Sequence, residues 1–383
     1  MTTDPDPSEL SSVPLSSVPL RSVLLAGGGS AGHVSPLLAL ADCLRRRDPG
    51  LRVTVLGTQE GLEQRLVPAR GYDLRTIPKV AFPRRPSGAL VRLPGALKVA
   101  VEAAGAAIDE AAPDVVVGFG GYVSTPAYLA ARKRGIPIVV HEQNSKPGLA
   151  NRVGARITPY VATTFASTSL PHATVLGMPL RREIATLNRA ASRAQGLAHF
   201  GLDDHRPTLL ITGGSLGAQR LNAAFASRVG QLRARGIQVL HITGLGKEFV
   251  HDSRVAGPPY VVVAYVDRMD LAYAVADLVV ARSGANTVCE LTAVGLPAVY
   301  VPLPIGNGEQ RFNATDVVAA GGGILVDDSG LTPQWIDAAL LPVVTDGPRI
   351  ARMAVAAASI GERAADERLA DLVVVAAASR ESR

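Results

Sequence analysis

Two short stretches carry residue types that could hold a phosphate, move a proton or line a polar pocket. The first, "AGGGSAGHVSP" (26–36), sets Gly27, Gly29 and Gly32 at G-x-G-x-x-G spacing and puts His33 directly behind them. Glycines at such a turn let an anionic ligand reach the backbone, and the helix that follows offers free N–H groups and a partial positive charge. An imidazole there, with an ordinary pKa near ~6.5, can take a proton at neutral pH. The second stretch, "HEQN" (141–144), ends a β-rich run on four polar residues, which suggests a polar pocket.

These residues need elements to hold them. From Arg21 onward, short β-rich runs such as "RSVLLAG", "RVTVLG", "PDVVVGFGG" and "IPIVVHEQN" alternate with alanine-rich helical stretches, the first of them "PLLALADCLRRR". That alternation predicts a parallel sheet wrapped by helices on both faces. The pattern restarts at "RPTLLITGGSLGAQRL", so the expected fold class is α/β with two doubly wound, Rossmann-like domains facing a central cleft. The expected organisation is a disordered proline-rich extension (1–20), a first domain (21–180), a second (181–360) and a last helix (361–383) able to pack back on the first domain. Parallel sheets bind ligands beyond the carboxyl ends of their strands. Four further glycine loops fall at such ends: "GFGGYVS" (118–124), "TGGSLGA" (212–218), "ARSGANTVCE" (281–290) and "PIGNGEQ" (304–310). One such loop is a common structural turn; five together predict a phosphate-lined cleft. Glu290, in the helix after Ser283-Gly284, could accept both hydroxyls of a ribose.

Composition limits the alternatives. Lysine and arginine (39) exceed aspartate and glutamate (33), a net charge of +6 that suits a nucleotide, a phospholipid surface or nucleic acid. Aromatics are only 4 %, and no basic helix is interleaved with them, so nucleic acid is the weakest of the three. No window of about 18 residues is continuously apolar, so no membrane-spanning helix is expected. Cys43 and Cys289 lack metal-ligand spacing, fall in predicted helices and suggest a reducing compartment. The opening "MTTDPDPSELSSVPLSSVPLR" repeats "SSVPL" and lacks the basic and apolar regions of a secretory signal. A nicotinamide enzyme would want an acidic residue at the end of the second strand, but that strand runs into Leu56-Gly57-Thr58-Gln59, with Glu60 arriving late.

"GGSAGH", "GFGGYVS", "HEQN", "TGGSLGA", "RSGANTVCE" and "NGEQRFNA" occur in the order and spacing of one family. From Arg21 to the C-terminus the chain resembles the MurG family of bacterial peptidoglycan glycosyltransferases. The resemblance implies the GT-B architecture. It implies inverting, metal-independent transfer of N-acetylglucosamine from UDP-N-acetylglucosamine to the muramoyl 4-hydroxyl of lipid I, with no cofactor. By motif, Ser215 would meet the donor diphosphate, Glu290 the ribose and the backbone of Val266 the uracil, with Arg268 a bystander. Gly284, Ala285 and Asn286 would line the sugar and diphosphate, Glu309 and Gln310 the sugar hydroxyls, and Asn144 would reach over from the other domain. Arg181 would lie at the hinge near the donor. Ser30, Ala31 and Gly32 would belong to the UDP-N-acetylglucosamine site and, with Gly29, Gly120, Gly121 and Tyr122, cradle the acceptor diphosphate. His33, or its rival Glu142, would be the general base. The family has glycine where Ala31 stands; were φ positive there, alanine would cost about 1 kcal/mol.

A lipid-linked acceptor also implies a membrane. Residues 79–98 mix Lys79, Arg84, Arg85, Arg92 and Lys98 with Val80, Phe82, Leu90, Val91, Leu93 and Leu97. Basic residues contribute about 1 kcal/mol each near an anionic surface, and apolar ones can dip into it. The expectation is peripheral attachment at the cytoplasmic face. Other readings are another two-domain sugar-nucleotide enzyme (a natural-product glycosyltransferase or a non-hydrolysing epimerase), a nicotinamide oxidoreductase and a non-catalytic sugar-nucleotide sensor.

Overall fold

The computed structural model describes residues 20–80, 89–213, 219–250, 257–304 and 308–380. The alternating pattern builds two parallel sheets. The first holds β1 (Ser22–Ala26), β2 (Arg52–Gly57), β3 (Asp73–Thr76), β4 (Val115–Gly118), β5 (Ile138–Glu142), β6 (Tyr160–Thr163) and β7 (Ala173–Val175), in the order β3-β2-β1-β4-β5-β6-β7. The second holds β8 (Thr208–Thr212), β9 (Gln238–Ile242), β10 (Tyr260–Val263), β11 (Leu278–Ala281), β12 (Ala298–Tyr300) and β13 (Gly323–Leu325), in the order β10-β9-β8-β11-β12-β13. Strands such as "SVLLA" and "VVVG" are buried at every position, as strands covered on both faces must be.

Strand order reverses between β1 and β4 in one sheet and between β8 and β11 in the other. Loops leaving neighbouring strands at a reversal diverge and open a crevice at the carboxyl edge. The loops at the first reversal are "GGGSAGH" and "GFGGYVS"; at the second, "RSGAN" follows β11, and "TGGSLGA" lies outside the described residues beyond residue 213.

The helix α1 spans Ala31–Arg47, beginning five residues before Pro36, so His33 lies in its first turn. Ala31 has ordinary helical backbone, and the anticipated strain is not there: Gly29, at φ 87°, makes the left-handed turn instead. Cys43 and Cys289 are free and helical, as expected.

Two chain crossings join the domains. The outgoing one passes Gly177 (φ 92°), whose carbonyl accepts a hydrogen bond from His141 Nε2 at 2.9 Å. A Cβ on Gly177 would stand 2.7 Å from Glu362 Cγ, on the returning crossing. Beyond it the helix Ala365–Ala378 returns to the first domain and buries Leu369, Ala370, Val373 and Ala376 in the core around Val23 and Leu37. Arg46 and Arg47 of α1 donate to Asp366, Glu367 and Asp371 at 2.7–3.2 Å.

His141 and His241 are buried and neutral, burial pushing them down to about 4 and about 3. The unfolded chain, with histidines near ~6.5, therefore takes up protons first as the pH falls. Stability should be full above pH ~6.5 and fall toward pH 4 by about 1.4 kcal/mol per unit per histidine. Chemical denaturation across that range checks this, and His241→Gln should give a shallower slope.

Candidate active site

The first wall is the crevice between β1 and β4. Ser30 makes no side-chain cap on α1, so the first-turn amides of Ala31 and Gly32 face the crevice. His33 is half-buried; its Nδ1 lies 3.1 Å from Ser30 Oγ, and the ring also bonds the Gly28 backbone. The Ser30 hydroxyl can donate to Nδ1 or accept from it, so this contact serves either tautomer. Nε2 points to the second loop, 3.3 Å from where a Cβ on Gly120 would stand. Gly120 (φ 85°) and Gly121 (φ 77°) are left-handed, and a Cβ at Gly121 would strike the Gly28 carbonyl at 2.8 Å. The two loops touch because neither has side chains there. Burial holds the His33 pKa below its ordinary value, and the Glu63 carboxylate partly opposes this.

One expected contact changes here. The Gly29 amide donates to Glu63 Oε2 at 2.9 Å, so it is not a free donor for a diphosphate. Glu63 stands where a dinucleotide site would place a ribose-binding acid, but its oxygens are turned onto Gly29 and Thr58. Tyr122 is partly exposed, and Lys79 Nζ stacks 5.0 Å from its ring centroid.

Glu142 is only 2 % exposed and closes the "HEQN" loop from within. Oε1 accepts from the Asn144 amide (2.9 Å) and Asn144 Nδ2 (3.4 Å). Oε2 accepts from the Gly148 amide (3.0 Å) and Asn151 Nδ2 (2.9 Å). Burial raises its pKa and these donors oppose the rise. With both oxygens engaged, Glu142 has the surroundings of a loop anchor. Asn151 also contacts the region of Gly120 beside His33, so the two candidate bases share a neighbour.

The second wall is the end of β11. The helix Ala285–Ala293 has Gly284 at its N-cap, again without a side-chain cap. Ser283 Oγ and Asn286 Oδ1, both buried, make no hydrogen bond among the described residues. Asn286 Nδ2 donates to the Ala31 carbonyl at 3.1 Å, so the N-termini of α1 and this helix meet across the cleft. Beside them the Ser145 amide donates to Asn313 Oδ1 (3.0 Å), and Asn313 Nδ2 reaches Asn144 Oδ1 and the Ser283 carbonyl (3.3 Å each). Glu290 is held by Tyr273 Oη (2.7 Å) and by Arg181 (3.4 Å). Arg181 thus sits between the crossing and the carboxylate. Val266 is buried, and Arg268 is engaged by Asp270 at 2.6 Å. Gln310 Oε1 accepts from the Leu303 amide at 3.0 Å, with Glu309 beside it at the start of the helix Glu309–Asn313. Ser215 lies outside the described residues.

The basic stretch divides. Phe82, Arg84 and Arg85 lie outside the described residues. Arg92 and Lys98 are exposed on the helix Ala89–Ala111. Val80 is buried in the first domain, and Leu93 and Leu97 pack partly against the same core. These three face the protein rather than a bilayer, because the helix needs an apolar stripe to attach itself. No described helix is long and apolar enough to cross a membrane.

Residue types alone missed Glu63, Asn151, Tyr273, Ser283 and Asn313. Only Glu63 had a local signal, an acid two residues after the second of the glycines at 57 and 61.

The glycosyltransferase family 28 N-terminal domain matches residues 23–163, and the family's C-terminal domain matches residues 208–369. A protein of Leifsonia xyli subsp. xyli, named UDP-N-acetylglucosamine--N-acetylmuramyl-(pentapeptide) pyrophosphoryl-undecaprenol N-acetylglucosamine transferase, is 58 % identical over 350 residues, covering 91 % of this chain and 97 % of its own. A Streptomyces coelicolor protein of the same name is 53 % identical over 362 residues, covering 94 % and 100 %. The crystal structure of Acinetobacter baumannii MurG superposes with a TM-score of 0.76 at 30 % identity, covering 92 % of this chain and 99 % of that one. The calicheamicin glycosyltransferase CalG4, at 18 % identity and TM-score 0.65, shares the fold.

Proposed function

The chain belongs to glycosyltransferase family 28, and from that premise we propose that it transfers N-acetylglucosamine from UDP-N-acetylglucosamine to undecaprenyl-pyrophosphoryl-N-acetylmuramyl-pentapeptide. The observation that carries the site reading is the meeting of two uncapped helix N-termini, α1 and the Ala285–Ala293 helix, 3.1 Å apart through Asn286 and Ala31. Their amides converge on a shared crevice, which suits a diphosphate-bearing donor on one wall and a diphosphate-linked acceptor on the other.

In this reading the acceptor's 4-hydroxyl oxygen attacks C1 of the sugar as the C1–oxygen bond to the β-phosphate breaks. UDP leaves with the bonding pair, the configuration inverts, and the hydroxyl proton passes to His33 Nε2. Glu142 anchors the loop that brings Asn144 to the sugar. The helix at Ala285, with Ser283 and the loop containing Ser215, stabilises charge growing on UDP; one such donor is typically worth about 10²–10³ in rate. This arrangement asks for no divalent cation. Glu290 receives the ribose hydroxyls, already oriented by Tyr273 and Arg181. Val266, Gly284, Glu309 and Gln310 complete the donor side, and Ala31, Gly32, Gly120, Gly121 and Tyr122 the acceptor side.

Donor specificity tests the reading. UDP-N-acetylglucosamine should bind calorimetrically well above UDP-glucose and UDP-galactose, and release of UDP should require the lipid-linked muramoyl acceptor. Equal binding of all three sugars, or turnover on soluble sugars alone, would defeat it. Tyr273→Phe should raise the donor KM about tenfold, the worth of a hydrogen bond to a charged group, with kcat unchanged because the contact is uniform binding.

We place the enzyme peripherally on the cytoplasmic membrane surface, through Arg92, Lys98 and the basic residues before them. Vesicles rich in anionic lipid should co-sediment with the protein at low salt and release it at high salt. Retention unaffected by salt would count against this attachment.

A further inference from the structure

We infer that Glu63 is a positioning residue for this reaction: its carboxylate locks the first glycine turn onto the end of β2 and sets a fixed negative charge beside His33. The inference rests on the reading of His33 as the base.

Glu63 is 0 % exposed, and no ion pair reaches it among the described residues. Oε1 accepts from the amide and the hydroxyl of Thr58, each at 2.8 Å, and Oε2 from the Gly29 amide at 2.9 Å. The chain makes room for it with three glycines. A Cβ on Gly28, Gly57 or Gly61 would lie 2.3, 2.5 or 2.0 Å from the Glu63 side chain. Burying a carboxylate without a cation is costly, and a neutral side chain would fill the socket at less cost. The use of the charge lies on the other side of the turn. Glu63 holds Gly29, while the His33 ring contacts Gly28 and Ser30. The carboxylate holds Gly29 and the imidazole holds its neighbours Gly28 and Ser30, so a shift of the turn would carry the ring with it. The charge also favours protonation of His33, opposing the effect of burial.

Other groups around His33 are uncharged or set back. On α1 it meets Ser30, and on the second loop Gly120 and Gly121. Tyr122 follows on that loop and carries Lys79 on its ring, with Glu60 3.8 Å from the ammonium. From the helix Leu149–Gly154 it faces Asn151, behind which lies Glu142, and Asn286 comes from the second domain.

The test measures kcat, donor KM and the acid limb of the kcat–pH profile for the full-length protein on its lipid-linked acceptor. Glu63→Gln keeps shape and removes the charge. It should lower kcat about tenfold to a hundredfold, as a displaced catalytic group does, and leave donor KM unchanged. Without the charge His33 protonates less readily, so the acid limb should move to lower pH. Thr58→Val frees one carboxylate contact and keeps the charge; it should lower kcat about threefold, on the scale of one hydrogen bond, with the limb unmoved. A Glu63→Gln enzyme within twofold of the parent, or one slowed with its acid limb in place, overturns the inference. Should Glu63→Gln fail to fold, an unchanged kcat in Thr58→Val overturns it, and a lowered kcat at constant donor KM supports it. A His33→Ala enzyme whose kcat stays within about tenfold of the parent would instead defeat the base assignment.

Discussion

Replacing His33 by alanine is expected to reduce kcat by about 10²–10⁴, the usual contribution of a positioned general base, while UDP affinity stays within about twofold. The separation follows from the geometry. Nδ1 faces Ser30 of the first turn, and Nε2 is the ring nitrogen turned toward the second loop. The nucleotide is assigned to the opposite wall, where Glu290, Tyr273 and the Ala285 helix belong to the second domain. The pH dependence carries a second signature. The working form is neutral imidazole, and burial lowers the His33 pKa. Neutral imidazole therefore persists below the ordinary value, and the acid limb of kcat should fall below pH ~6.5. The limb should vanish in the alanine variant's residual activity. A loss of UDP binding equal to the loss of turnover would mean that His33 shapes the cleft rather than moving a proton.

Replacing Glu142 by alanine should damage both fold and rate. Its two oxygens serve the amides of Asn144 and Gly148 and the side chains of Asn144 and Asn151. Truncation leaves these donors buried without an acceptor, each unmet group costing about 1–3 kcal/mol before relaxation. The variant should unfold at least about 2 kcal/mol earlier in denaturant and lose kcat as Asn144 drifts from the cleft. Glu142→Gln keeps one acceptor and should fall between alanine and the parent on both measures. If Glu142→Gln were as stable as the parent yet inactive, Glu142 would be the base after all, and its role as a loop anchor would be wrong.

Much of this site was legible because the chemistry demands particular residues at strand ends. Gly120 and Gly121 can be read as ligand-loop glycines from their neighbours alone, and so can His33 and Glu290. Residues that work through distant partners could not. Glu63 reaches Gly29 across 34 positions, and Asn286 reaches Ala31 across 255. Asn313 clasps Ser145 from the other domain. Nothing in the local sequence reports such pairings. Gly29 looks like a free amide until Glu63 is seen to occupy it. Val80, in a basic apolar run, looks the same whether it faces lipid or core; burial decides for the core. Ala31 was a false alarm because the left-handed turn falls two residues earlier, on Gly29.

The central claim is that amide dipoles from two facing domains hold and activate the sugar nucleotide without help from a cation. The direct measurement is the rate of UDP release from UDP-N-acetylglucosamine on the lipid-linked muramoyl acceptor, in excess chelator and then with added Mg²⁺ or Mn²⁺. The account predicts acceptor-dependent turnover at the same rate in all three conditions. Turnover that appears only when a divalent ion is restored would contradict it.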